Sequence, residues 1–120
     1  MIEVLTDFPD NVLAFACHGH VTKQDYESVL MPAVETALEG QSKLRLYYET
    51  ASDFDGIAPG AVWEDTKAGL GHRDRWEKFA VVTDVGWIGH TMKLFSFLMP
   101  GDLRVFSTDQ AAQAREWIVA

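Results

Sequence analysis

The run Phe79-Ala80-Val81-Val82-Thr83 (FAVVT) is apolar at four successive positions and ends in a β-branched residue. A strand with one wet face would carry a polar residue at every second place. None occurs here, so both faces are expected to be covered, as in a central strand of a parallel sheet between helices. Downstream, Asp84 is placed to cap a helix through about Leu98, stopped by Pro100-Gly101. Leu103–Phe106 reads as the next strand. Ser107 or Thr108 then caps a helix in which Ala111, Ala114, Trp117 and Ile118 share one face.

Upstream, Lys43–Glu49 (KLRLYYE) reads as a strand and Pro59–Leu70 as a helix weakened at its end by Gly69 and Gly71. Thr22 with Asp25 three residues later has the form of a capping box. After it, Tyr26, Val29, Leu30, Ala33, Val34, Ala37 and Leu38 recur at helical spacing; Pro32 predicts a kink and Gly40 an end. Ile2–Thr6 and Val12–His18, joined by the turn Phe8-Pro9-Asp10-Asn11, predict an antiparallel hairpin. The order β-β-α-β-α-β-α-β-α is that of an α/β sandwich with right-handed crossovers.

Composition narrows the function. The 120 residues are 48% hydrophobic, the size and balance of one domain with its own core. The formal net charge of −8, with no compensating Lys/Arg cluster, disfavours nucleic acid and anionic membranes. A lone cysteine, Cys17, excludes an internal disulfide framework and suits a reducing cytoplasm. The opening residues show no signal peptide, and no apolar stretch approaches the ~18 residues of a membrane span.

The segments GHVTKQDYESVLMPAVETAL, KLRLYYETASDFDG, AVWEDTKAGLGH, WEKFAVVTD and MPGDLRVF together resemble the SpoIIAA-like family of small bacterial proteins, distant relatives of the STAS domains of anti-sigma factor antagonists. The resemblance covers nearly the whole chain. It implies a STAS-like mixed, mostly parallel sheet of about five strands with four helices, in one domain over residues 1–120. It also implies a non-enzymatic regulatory or protein-interaction module. Anti-sigma antagonists carry a phosphorylated serine where the helix after the third strand begins. Here that stretch reads GIAPGAVWED, with no hydroxyl from Gly56 to Asp65, and Asp53 and Asp55 upstream would repel a phosphate. The expectation is a module without that switch, in which Asp53 or Asp55 caps the helix and Pro59 occupies its first turn.

Other constellations are weak. His18 and His20 stand two apart, on one face of a continuous strand, and such a pair can bind Zn²⁺ or Cu²⁺. No third ligand lies nearby in sequence, so no metal site is assigned. Cys17 has no basic neighbour to activate it. Glu64 and Asp65, adjacent on a helix, diverge by about 100° and make a poor catalytic pair. No P-loop, G-x-S-x-G or dinucleotide fingerprint occurs, so no catalytic residue and no cofactor are assigned.

The aromatic surplus is the positive signal. In WIGHTMKLFSFLM the rows Ile88-Met92-Phe95-Met99 and Trp87-Leu94-Leu98 make an apolar stripe wider than one core face requires. Trp63, Trp87, His90, Phe95, Phe97 and Met99 are the candidate ligand or interaction surface. The surplus serves core packing, a homodimer face, or a pocket for a small apolar ligand or lipid, the last being the alternative function.

Overall fold

The computed structural model of the chain describes residues 1–57, 76–86, 88, 90 and 102–120. In chain order the strands are β1 (Ile2–Leu5), β2 (Val12–Cys17), β3 (His20–Val21), β4 (Leu44–Thr50), β5 (Gly56–Ile57), β6 (Trp76–Val82) and β7 (Asp102–Phe106). Five of them form a sheet in the order β1-β2-β4-β6-β7. β1 is antiparallel to β2, and every other neighbouring pair is parallel. β3 and β5 make a separate two-residue parallel pair, too short to be signalled by periodicity.

The first helical region begins at Thr22, whose hydroxyl accepts from the Asp25 amide at 3.2 Å while the Asp25 carboxylate accepts from the Thr22 amide at 2.8 Å. This is the expected capping box. The helix then runs as α1 (Lys23–Asp25), a π-helical turn (Tyr26–Leu30) and α2 (Met31–Gly40). The π-turn gives the expected Pro32 kink a specific form. Proline lacks an amide hydrogen, and its ring collides with the carbonyl four residues back. Widening the preceding turn, so that the Met31 amide donates to the Tyr26 carbonyl, accommodates it. Gly40 is not a left-handed stop: it belongs to the last turn, and Gln41 ends the helix in extended conformation.

The second helical region is α3 (Ala111–Val119), entered through a 3₁₀ turn, Thr108–Gln110. Gly86, Ile88 and His90 are also helical. Two of the four expected helices therefore stand among the described residues. Pro59–Leu70 and most of Asp84–Leu98 lie outside them.

The sheet is covered on both sides. Phe15, Cys17, Leu44, Tyr48 and Phe79 pack with Tyr26, Leu30 and Val34 of the first helical region. On the other side Val12, Ala14, Tyr47, Ala80 and Val82 pack with Ala114 and Ile118 of α3. Alternation assigns each strand residue to its side, and burying a large side chain there stabilises the fold by ~1.5–3 kcal/mol. β6 breaks the alternation once. Leu44 pairs with Trp76 and the next residue, Arg45, pairs with Lys78, so Glu77 is an extra residue at a β-bulge. Trp76 thereby stays on the side of Phe79, with ring centroids 5.3 Å apart. The strand begins at Trp76 and not at Phe79.

The end of α3 is held to the sheet by cations. Arg45 Nη1 donates to the Ile118 carbonyl at 2.9 Å, and Lys78 Nζ to the Trp117 carbonyl at 3.1 Å. Positive groups on the last carbonyls of a helix also oppose its dipole. Among the described residues no helix is long and apolar enough to cross a membrane.

Candidate functional site

Because β2, β4, β6 and β7 all run the same way, their carboxyl ends meet at one edge of the sheet. Ligands of open α/β sheets bind at such edges, where loops leave the strands and backbone groups turn outward. Four short polar segments follow the apolar runs here: His18-Gly19, Thr50-Ala51, Thr83-Asp84 and Ser107-Thr108. β1, being antiparallel, brings its beginning, Glu3, to the same edge.

The middle of the edge is tied together tightly. Thr50 Oγ1 donates to Thr83 Oγ1 at 2.9 Å, both side chains buried, and Thr83 Oγ1 accepts from the Val85 amide at 3.0 Å. The Thr83 amide extends the ladder to the Phe106 carbonyl at 2.8 Å. Asp84 reaches across the edge of the sheet. Its carboxylate accepts from the Thr108 amide at 3.0 Å and from the Thr108 hydroxyl, 24 residues away. The hydroxyl bond and then the amide bond hold its carboxyl below the usual range. Of the two caps proposed for the last helix, Ser107 holds the N-cap position, its amide donating to Gln110 Oε1 at 3.1 Å. Thr108 serves Asp84 instead.

Beside this brace lies an open groove of about 330 Å³. Its polar lining comes from Thr83, Asp84, His90, Ser107 and Gln110, and its apolar lining from Val85, Val105 and Phe106. Of the six residues singled out from the sequence, His90 is exposed and lines this groove. Trp63, Trp87, Phe95, Phe97 and Met99 lie outside the described residues. The spacing offers Asp84, Ser107 and Thr108 only as helix caps, which hides that Asp84 and Ser107 line the groove and that Thr108 holds Asp84. Their shared position, within two residues of the end of a parallel strand, was the signal that places them together.

The other end of the edge is charged. The segment between β4 and β5 carries Asp53 and Asp55, which do not cap a helix, because Gly56 and Ile57 directly follow as β5. Asp53 Oδ1 lies 3.1 Å from His18 Nδ1, and Asp55 Oδ1 3.5 Å from His20 Nδ1. His18 Nε2 lies 2.8 Å from Glu3 Oε1. Gly19, between the histidines, adopts φ +56°, a left-handed conformation that ends β2, so the two imidazoles do not share one strand face. Gly56, at φ +153°, faces His20; a Cβ there would come within 3.3 Å of the His20 ring. Among the described residues no three His, Cys, Asp or Glu side chains converge as a metal-binding group. Cys17 is fully buried.

The SpoIIAA-like family model matches residues 12–119. No curated protein matches the chain. A solved structure similar to it is that of an uncharacterized protein of the DUF3478 family with a SpoIIAA-like fold, from Shewanella loihica PV-4. The two chains are 25% identical and superpose with a TM-score of 0.76 over 98% of this chain and 92% of that one.

Proposed function

Since the chain belongs to the SpoIIAA-like family, we propose that it is a non-enzymatic regulatory or protein-interaction module whose partner docks on the carboxyl edge of the sheet. The groove beside Thr83, Asp84 and Ser107 carries this reading: it is open, and Asp84 in its lining is held by its bonds to Thr108. Hydroxyls, a carboxylate and an amide beside Val85, Val105 and Phe106 suit a polypeptide segment, which offers both backbone polar groups and apolar side chains. The partner is another protein or a second copy, met in the cytoplasm by a single domain spanning residues 1–120.

The test is a binding comparison. Immobilised wild-type protein and a Val105→Arg variant, which sets a long cation in the groove, are exposed to extract from the source cell and to purified free chain. Capture by wild type and loss of most of it in the variant is the expected result. Equal capture by both places the interface elsewhere. The alternative, a carrier of a small apolar ligand or lipid, is separated by native mass spectrometry, where a co-purified apolar compound would replace the interaction reading.

The module works without the anti-sigma type of phosphorylation. The loop after β4 leads into the two-residue strand pair of β3 and β5, and the stretch from Gly56 to Asp65 carries no hydroxyl to accept a phosphate. Incubation with cell extract and ATP, followed by phosphosite mapping, should yield no stoichiometric phosphate between Gly56 and Thr66.

A further inference from the structure

His18 bridges two carboxylates from different parts of the chain, Glu3 of β1 and Asp53 of the loop between β4 and β5. A neutral imidazole has one N–H donor, whereas an imidazolium has two. A carboxylate oxygen lies 2.8 Å from Nε2 and another 3.1 Å from Nδ1, an arrangement in which an imidazolium donates to both and a neutral ring to one only. The same loop is held by its backbone: the Gly19 amide donates to the Asp53 carbonyl at 3.1 Å, and the Asp55 amide to the Gly19 carbonyl at 2.8 Å. The side-chain bridge and the backbone bonds thus close one contact, between the Gly19 turn and residues 51–55.

We propose that Glu3, His18 and Asp53 form a proton-operated latch that clamps the loop between β4 and β5 onto the Gly19 turn when His18 is charged and releases it when His18 loses its proton to solvent. On release one carboxylate faces a ring lone pair and is repelled, so one side of the bridge opens. The other charges facing this site are the His20–Asp55 pair and the amino group of Met1. That amine donates to the His18 and His20 carbonyls at 2.8 and 3.0 Å and lies 3.4 Å from Asp25. It holds the backbone on which the latch sits and does not compete for the ring nitrogens.

The hydrogen bond to Glu3, and then that to Asp53, raise the His18 pKa above its ordinary value. A histidine whose folded value is raised contributes its contact fully below the unfolded pKa of about 6.5 and loses it as pH rises through the folded value. The loop is therefore closed in mild acid and opens toward alkaline pH. This device goes beyond the proposed function and stands without it.

Nuclear magnetic resonance on the full chain tests it. The His18 ring should titrate above the ordinary histidine value. Hydrogen-exchange protection at the Gly19 and Asp55 amides, corrected for intrinsic rate, should fall by about two- to fivefold through that midpoint, the range of an exposed ion pair. Val81 in the central strand should not change. Asp53→Asn, an exposed and nearly isosteric substitution, should lower the midpoint and remove the step; Glu3→Gln should lower the midpoint independently. A midpoint at or below the ordinary value, a step that survives in Asp53→Asn, or a parallel loss at Val81 would overturn the latch.

Discussion

Val82→Asp abolishes cooperative folding. Val82 is fully buried, pairs with Phe106 in the ladder and faces Ala114 and Ile118 beneath α3. An aspartate there must either ionise without a partner or spend free energy staying neutral. An uncompensated buried charge costs several kcal/mol, comparable with the ~5–15 kcal/mol that holds a typical domain together. Circular dichroism should show no cooperative thermal transition, or one collapsed toward room temperature. A soluble variant that melts cooperatively and loses less than ~1 kcal/mol would remove Val82 from the interior and α3 from its position above it.

Phe15→Ala costs ~3–5 kcal/mol, the usual toll of truncating a fully buried aromatic ring. Phe15 is completely shielded on β2, on the opposite side of the sheet, among Tyr26, Leu30, Val34 and Tyr48. It tests the packing of the first helical region as Val82 tests that of α3. The variant should still fold, with a melting temperature lower by roughly 10–20 °C for a domain of this size. A drop of only a few degrees would mean that the π-turn lets the helix settle onto the vacated space.

The fold was legible where burial imposes a period. FAVVT announced a strand covered on both sides, and the row from Tyr26 to Leu38 announced the helical face that packs on it. The Thr22–Asp25 box marked the helix start because a cap is a local pattern of three intervals. What stayed hidden is non-local or aperiodic. Trp76 was left out of its strand because the extra Glu77 breaks the alternation on which strand recognition depends. β3 and β5, two residues each, have no period at all.

The candidate site was harder for the same reason. Asp84 and Asp53 each precede a region read as helical, and their chemistry suits a cap. In the structure one binds Thr108 and the other His18, partners 24 and 35 residues away. Short polar side chains are versatile acceptors, so local spacing says what such a residue can do and tertiary proximity decides what it does. His90 is the only one of the six candidates among the described residues, and it stands at the groove for a reason its aromatic neighbourhood did not suggest.

The bulge at Glu77 also bears on how this chain compares with its kin. β6 carries one residue more than its ladder with β4 requires, and that residue is exposed, its carboxylate 3.7 Å from the Arg45 guanidinium. Deleting it would leave Trp76 two positions before Phe79, still on the same side of a regular strand. A gap inside a central strand ordinarily signals a faulty alignment, since a one-residue slip turns every side chain over. At this position a homologue one residue shorter keeps the same interior, and the gap is the correct alignment.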